Sequence, residues 1–329
     1  MKSDVFYALT RDGEKLPILD VTNPAFAVTA TDAELAALSD QYIRESTQMR
    51  EMPPTLREAL QASMFGKALM AASGSYLPGM ITYRLKLGPD NQGKDASPID
   101  RRIAASFPAF ASRIRVQDMA ELLADGIAHA EPGGRLRSIC LMNIAGGAAS
   151  DSWNALICLQ AKHASLLGGR EVVIAVFETA EDGPVFGARA IEMLRGTGAP
   201  LSRLQIGFHH IQYAWCEVEG LRRALEDLNA VHALSAISSE GGLFEYGSDA
   251  EIVSNLRVLH TGTACDAFVV GSVTRDGEVV RASQIANRIS TLPRTIEAFR
   301  SLSEEAGWRL QTVIERPFSY NVRLVKMQG

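Results

Sequence analysis

No apolar run in this 329-residue chain reaches the roughly 18 residues that a membrane span needs. Cysteine is scarce as well. The four present (Cys140, Cys158, Cys216 and Cys265) are far apart and form no CxxC, which excludes a disulfide scaffold and a zinc ribbon. Three of them sit in apolar runs that read as core, and a reducing cytoplasm suits buried thiols best. Positive charge is in deficit, with 33 Lys and Arg against 38 Asp and Glu, a net charge of −5. That leaves no footprint for nucleic acid or for an anionic membrane surface. The opening residues MKSDVFYALTRDGEKL lack the apolar core of a signal peptide. Internal repeats and low-complexity tracts are also missing. What is there is 47% hydrophobic and 22% charged, a soluble globular composition with length for two domains or for one core with an elaborated cap.

The first third and the remainder differ in rhythm. VFYALT and LPILDVT flank the polar turn RDGEK, so residues 5–21 read as a hairpin. TDAELAALSDQYIRESTQM opens with a capping box, Thr31 and Glu34, and continues as a helix. PPTLREALQASMFGKALMAAS reads as a second helix behind two prolines, and YLPGMITYRLKL as a shorter third. After the polar loop LGPDNQGKDASP, IDRRIAASFPAFASRI and VQDMAELLADGIAHA keep the helical pattern. Residues 1–116 are therefore expected to form a hairpin and a mostly helical cap.

From residue 117 onward strands and helices alternate. RSICLMNI, EVVIAVFE, RLQIGFHH, VHALSAIS and ACDAFVVGSV are strand-like, each followed by a helical segment; the fourth helix carries a second capping box, Ser248 and Glu251. The early strands are continuous apolar runs, as in strands covered on both faces. Five β–α units make a doubly wound parallel sheet. WRLQTVIER and YNVRLVKM follow with no helix between them and should pair antiparallel at one edge. The expected fold class is α/β: a doubly wound, mostly parallel seven-stranded sheet with an antiparallel C-terminal hairpin, over residues 117–329, beneath the N-terminal cap.

In such sheets ligands sit at the carboxyl ends of the strands, where strand order reverses. The first strand ends in NIAGGAAS. Gly146 and Gly147 allow a sharp turn and close approach of a ligand, the next helix points its free N–H groups there, and Ser150 adds a hydroxyl. A tight turn with no ligand is the plain alternative. Glu178 ends the second strand, where a carboxylate can accept hydrogen bonds from ribose hydroxyls, although its distance from Gly147 exceeds the usual ~20 residues.

The glycine turn, the acidic end of the second strand and the C-terminal pattern TIEAFRSLSEEAGWRLQTVIERPFSYNVRLVKM together resemble class I S-adenosylmethionine-dependent methyltransferases. The resemblance covers residues 117–329; the cap matches no family. It implies S-adenosyl-L-methionine as cofactor, with its methionine part against Asn143, Ala145, Gly146 and Gly147. Ser150 would stand beside that part and Glu178 would take the ribose. His209, His210 and Gln212 would lie near the adenine, and Ser238 to Gly242, including Ser239 and Glu240, would face the sulfonium and the acceptor. Members of the family often carry Asp or Glu near the Asn143 position. An amide there can still hydrogen-bond, but it brings no negative charge to the cofactor's ammonium group.

Methyl transfer is an in-line displacement at a carbon activated by positive sulfur, so the protein must align the reactants and exclude water. A base is needed only when the acceptor keeps its proton, and Glu240, His210, His209 and Tyr213 are the candidates. Each has a plain alternative as a packed or solvated strand end. Adjacent strand residues point to opposite faces, so the two histidines cannot chelate together, and no metal is expected. Tyr76, Tyr42 and Tyr83 could set a ring over the sulfonium, with ordinary helix packing as the alternative. SGSYLPG could hinge. Arg44, Arg84 and Lys86 could receive a carboxylate, although solvation is the default for such charges.

The expected function is methyl transfer to a small molecule, of a kind met in secondary metabolism. One alternative is attack on the aminocarboxypropyl arm of S-adenosylmethionine, including closure by its own amine to azetidine-2-carboxylate with release of methylthioadenosine. Asn143 in place of a carboxylate suits that reaction. A non-catalytic cofactor-binding relative and a nicotinamide enzyme stay open. Helical caps often build dimers, so a homodimer is a further expectation.

Overall fold

The structure, a computed structural model, describes residues 4–48, 53–72, 74–130, 138–287 and 289–327. Met49, Ser73 and Arg137, at the ends of segments read above as helix, hinge and strand, lie outside the described residues.

The N-terminal part holds a hairpin, β1 (Tyr7–Leu9) and β2 (Lys15–Pro17), then α1 (Asp32–Gln48), α2 (Pro54–Ala62), α3 (Met64–Ala71), α4 (Gly79–Lys86), α5 (Pro98–Ala104) and α6 (Phe107–Ala130). The alternating part follows: β3 (Ile139–Ile144), α7 (Ser150–His163), β4 (Glu171–Glu178), α8 (Asp182–Leu194), β5 (Gln205–Gln212), α9 (Val218–Asp227), β6 (Leu234–Ser239), α10 (Leu243–Tyr246), α11 (Asp249–Gly262) and β7 (Phe268–Thr274). Then come α12 (Glu278–Asn287), α13 (Ile296–Glu305), β8 (Trp308–Glu315) and β9 (Ser319–Lys326).

The seven-stranded sheet has the order β5-β4-β3-β6-β7-β9-β8. Strands β3 to β7 pair in parallel, and β9 runs antiparallel between β7 and β8. This is the doubly wound sheet with a reversed C-terminal hairpin that the resemblance implies. The order reverses at β3, which lies between β4 and β6, so their carboxyl ends form the crevice where such sheets bind ligands. Every residue of β3, β6 and β7 is buried, because helices cover both faces.

The cap and the sheet share one core. Leu16, Ile18, Leu19, Tyr83 and Leu87 pack in the same cluster as Trp153, Ile174 and Phe268. Polar bonds register the contact: Trp153 Nε1 donates to the Leu19 carbonyl at 2.7 Å, and the Asn154 side chain accepts from the Val21 amide at 2.8 Å. Helix α6 runs unbroken across residues 116 and 117 and lies along α7 and the sheet.

Three expectations about elements need correction. The helix foreseen over PPTLREALQASMFGKALMAAS breaks at Ser63, which is extended (φ −89°, ψ 155°). Its hydroxyl accepts from the Gly66 amide, and Asp100 accepts from the Phe65 amide at 2.8 Å, so a new helix start satisfies donors that a continuous helix would use internally. Helix α12, in a stretch to which the sequence pattern assigned no element, forms because Val279 and Val280 pack into a satellite core with Val28, Leu35 and Phe107. Two cysteines are buried rather than three; Cys216 and Cys265 lie exposed in turns. Both capping boxes are present. No helix among the described residues is long and apolar enough to cross a membrane.

Candidate functional site

The turn after β3 is under backbone constraint. Ala145, Gly147 and Ala149 all have positive φ, at 56°, 60° and 60°. Left-handed backbone at an alanine costs about 1–2 kcal/mol, so two such residues in one turn mark a conformation fixed by its surroundings. Three sets of contacts fix it. The Ala145 amide donates to the Phe177 carbonyl at 2.8 Å. A Cβ on Gly146 would stand 1.7 Å from Asn143 Oδ1, so the glycine exists to admit that side chain. Gly147 is pressed between Gly183 of α8 and Gly79 at the start of α4; a Cβ on Gly79 would come within 3.0 Å of the Gly147 Cα. The cap therefore reaches down to the backbone of the turn itself.

Glu178 closes the turn from β4. Its carboxylate accepts from the amides of Gly147 (3.2 Å), Thr179 (2.9 Å) and Ala180 (3.2 Å). It is half-buried at the carboxyl end of its strand.

Asn143, wholly buried on β3, donates through Nδ2 to Asp151 Oδ1 at 2.5 Å and to Ser238 Oγ at 3.0 Å. Asp151 lies in the first turn of α7 and is 1% exposed. A carboxyl group therefore stands directly against the Asn143 amide, on Asp151. Burial and the neighbouring charge of Glu240 push the Asp151 carboxyl up to about 6, against the Ser238 hydroxyl and Lys86, which hold it down. Four atoms here lack a hydrogen-bond partner: Asn143 Oδ1, Asp151 Oδ2, Ser152 Oγ and Ser239 Oγ. Buried polar atoms are nearly always paired; Asn143 and Asp151, joined by their own hydrogen bond, bring two unpartnered oxygens together at the end of β3, whereas Ser239 follows Ser238 on β6 and faces the other side of the sheet.

A buried ionic network stands beside them. Glu240, 4% exposed at the end of β6, takes Lys86 of α4 on Oε2 and Arg115 Nε of α6 on Oε1, the latter at 2.6 Å. Arg115 Nη1 reaches Glu245 of α10 at 2.6 Å, and Ser272 of β7 donates to Glu245 at 3.4 Å. Burial alone would raise Glu240, but the charges and hydrogen bonds of Lys86 and Arg115 outweigh it and hold the carboxyl below its usual range. Glu245 is raised, since burial and the Glu240 charge exceed the pull of Arg115. Tyr246 is raised by burial and by Glu245.

The sequence candidates separate into two groups. Asn143, Ala145, Gly146, Gly147, Ser150, Ser239 and Glu240 converge at the ends of β3 and β6, with Glu178 one strand away. His209, His210 and Gln212 lie exposed on β5, the sheet edge, where His210 Nε2 meets the Glu178 carbonyl at 2.9 Å and Gln212 donates to the Thr179 carbonyl at 3.1 Å. Three strand spacings separate β5 from β6, about 14 Å, so His210 and Glu240 cannot act as one acid–base pair. Cavities of about 500 and 340 Å³ open along β5, the first against α9 with His209, Arg223 and Asp227 in its wall, the second near Glu171 and Arg195. Neither is lined by the buried cluster. Tyr76 is 53% exposed and meets Tyr246 edge-on at 6.0 Å. Tyr83 is core, its hydroxyl bonded to Pro17 and Leu19, and Tyr42 packs on Phe107 and Phe318.

Sequence reasoning passed over Asp151, Arg115, Glu245 and Tyr246; it offered Lys86 as a receiver for a carboxylate with solvation as the default, and Lys86 is buried against the carboxylate of Glu240. A signal existed for Lys86: it sits between Leu85 and Leu87, both of which are buried. Asp151 directly follows Ser150 in a segment already read as the ligand-facing helix start.

S-adenosylmethionine can be tested against this donor set. Its amino-acid arm carries an ammonium that needs acceptors, and Asn143 Oδ1 and Asp151 Oδ2 are acceptors without donors. The residues fit the group.

No protein-family model matches the chain, and no curated protein matches it. Solved structures do. One is described as a possible exported protein from Bordetella parapertussis, 17% identical, covering 91% of this chain and 98% of its own, with a TM-score of 0.55. Mitomycin 7-O-methyltransferase is 14% identical over 83% of this chain and 72% of its own, at a TM-score of 0.42. An O-methyltransferase family 2 protein from Planctomyces limnophilus, in complex with apigenin, is 14% identical over 94% and 99%, at 0.43. At these identities the likeness is one of fold.

Proposed function

We propose that the chain binds S-adenosylmethionine at the carboxyl ends of β3 and β6, beneath the cap, and transfers its methyl group to a small molecule. The observation that carries this reading is the set of unpartnered buried acceptors at the point where strand order reverses, beside a turn held at positive φ. When bound, the sulfonium supplies carbons already activated for displacement. The protein's own work is to seat, align and exclude water. Glu178 stands ready to exchange its backbone partners for ribose hydroxyls. Asn143 and Asp151 receive the amino end of the ligand. Glu240 uses both carboxylate oxygens on Lys86 and Arg115, so it serves as a positioning residue that holds two cations in the crevice. Gly79 on Gly147 and Lys86 on Glu240 close the cap over the site.

Asp151 favours a second reading on the same site. A buried carboxyl shifted to about 6 has a use beside an amine that must lose its proton. In that reading the ligand's own amine attacks the γ-carbon, the carbon–sulfur bond breaks with its electron pair going to sulfur, and azetidine-2-carboxylate and methylthioadenosine leave. A cap packed down to the turn suits a reaction that needs no second substrate.

Mass spectrometry of the protein with S-adenosylmethionine alone, then with candidate acceptors, decides between them. A methyltransferase leaves the cofactor intact until an acceptor arrives and then yields S-adenosylhomocysteine. Methylthioadenosine in the first incubation establishes the second reading in its place. Calorimetry that detects no binding of S-adenosylmethionine or S-adenosylhomocysteine removes both.

A further inference from the structure

Two polar atoms of the ionic network have no partner, and they border one point. Arg115 spends Nε on Glu240 and Nη1 on Glu245 Oε1, and Ser272 donates to that same Glu245 oxygen. Arg115 Nη2 and Glu245 Oε2 make no hydrogen bond among the described residues. Both stand around the position that a Cβ on Gly241 would take, Nη2 at 2.9 Å and Oε2 at 3.7 Å. Gly241 has φ 76°, a conformation that suits glycine, and so leaves that position open. The next residue rests on the turn after β3: a Cβ on Gly242 would stand 2.7 Å from the Ala145 Cβ. A donor and an acceptor therefore lie side by side next to the crevice, held by the ion pairs behind them.

A hydroxyl complements this pair. It accepts from a guanidinium N–H through its lone pairs and donates its own proton to a carboxylate. A carboxylate at the same point would face Glu245, and an ammonium would face Arg115, like charge against like. We propose that Arg115 Nη2 and Glu245 Oε2 seat the hydroxyl of a neutral alcohol or phenol, and that Glu245 is the base that takes its proton during methyl transfer. This rests on the reading of the crevice as a methyltransferase site for S-adenosylmethionine. The step balances. The O–H bond breaks and a new O–H bond forms on Oε2. The electron pair left on the hydroxyl oxygen forms the bond to the methyl carbon, and the carbon–sulfur bond breaks with its pair going to sulfur. No oxidant or co-reactant enters. Arg115 keeps its protons and steadies the charge that builds on the oxygen. Glu240 cannot be this base, because Lys86 and Arg115 occupy both of its oxygens. Burial and the Glu240 charge raise the Glu245 carboxyl against the pull of Arg115, a direction that suits a base.

The test uses the full chain saturated with S-adenosylhomocysteine and two probes, 4-nitrophenol and its methyl ether 4-nitroanisole, which has no O–H. Calorimetry should show the phenol bound about tenfold more tightly, the effect of a hydrogen bond to a charged partner. Below neutral pH, where free 4-nitrophenol keeps its proton, the bound probe should show the absorbance band of its anion. Gly241→Ala fills the point that the hydroxyl needs and should abolish the preference for the phenol. Glu245→Gln should abolish the anion band. Melting curves and affinity for S-adenosylhomocysteine report whether each variant folds. Equal binding of the two probes by the wild type, or a preference that survives in Gly241→Ala, overturns the hydroxyl seat and leaves the cofactor reading intact. An anion band missing from the wild type, or persisting in Glu245→Gln, overturns Glu245 as the base. A folded Gly241→Ala that loses S-adenosylhomocysteine assigns Arg115 Nη2 to the cofactor and overturns the seat as well. A wild type that binds no S-adenosylhomocysteine overturns the cofactor reading and this inference with it.

Discussion

Helix α6 carries two buried ionic clusters less than one turn apart, and they differ in one respect. Asp118 accepts from Arg316 Nε and Nη2 at 2.8 and 2.9 Å and from Asn321 Nδ2 at 2.8 Å, which joins the helix to the C-terminal hairpin. Arg115 meets Glu240 and Glu245 with similar geometry, and Lys86 completes the group from the cap. Both clusters are buried, charged and hydrogen-bonded. The second stands beside two joined oxygens with no donor, Asn143 Oδ1 and Asp151 Oδ2, at the strand-order reversal. Burial and ion pairing therefore do not separate scaffold from site in this molecule; the distinguishing feature is a hydrogen-bonded pair of side chains, each with an oxygen to spare, where strand order reverses.

The comparison breaks most visibly at Glu240. Glu240→Gln removes the charge that both Lys86 and Arg115 face inside the protein, and breaking a buried pair from one side costs about 3–5 kcal/mol. Denaturant unfolding should show that loss. A cost under 1 kcal/mol would mean that the cations reach water without their partner.

Asp151→Asn should act in the opposite direction. The folded carboxyl titrates at about 6, above the ~3.9 of an unfolded aspartate. A raised acid contributes stability that is fully present below the unfolded value and lost as pH rises through the folded one. Above pH 6 the wild type therefore carries a penalty of up to about 2–3 kcal/mol that asparagine does not, while near pH 4 the two should be close. Unfolding free energies at pH 4 and pH 7 measure the gap. A site residue whose removal stabilises the fold is expected where function has been set against stability. A variant equally destabilised at both pH values would place Asp151 with Asp118, among the structural carboxylates.

Arg316→Ala sharpens the comparison from the scaffold side. Arg316 is 24% exposed, so solvent offsets part of the loss, and about 1–2 kcal/mol is expected. Binding of S-adenosylhomocysteine should not change, because this pair joins α6 to the C-terminal hairpin and not to the ends of β3 and β6. Altered affinity would mean that α6 transmits strain from one cluster to the other.

The sheet was legible from sequence because its strands are uninterrupted apolar runs and its last helix stops at a glycine before two strands with no helix between them. The crevice was legible through Gly146, Gly147 and Glu178, whose positions at strand ends follow from the same rhythm. The buried network was not. Its members come from α4, α6, α7, β6 and α10, and no spacing along the chain announces that Lys86 and Glu240, 154 positions apart, form a buried ion pair. Charged residues are assigned to solvent by default, and that default fails where two opposite charges are buried together. The break at Ser63 was hidden for a related reason: apolar periodicity continues through it, and the competing partner, Asp100, lies far along the chain. His209 and His210 drew attention through their residue type, yet their strand is the one the topology places at the edge.

That edge gives the smallest expected effect. His209 is exposed on β5, and the cavity in whose wall it stands opens against α9 at the sheet edge. His209→Ala should change stability by less than about 0.5 kcal/mol, as exposed positions do, and should leave the affinity for S-adenosylhomocysteine unaltered. The resemblance to methyltransferases brings the adenine near this strand, so the measurement has force in both directions. A several-fold loss of affinity would extend the ligand along the strand ends to the edge, and the site would then be a trough spanning four strands. Unchanged affinity confines recognition to the buried acceptors of β3 and α7, where each unpartnered oxygen has a donor to gain.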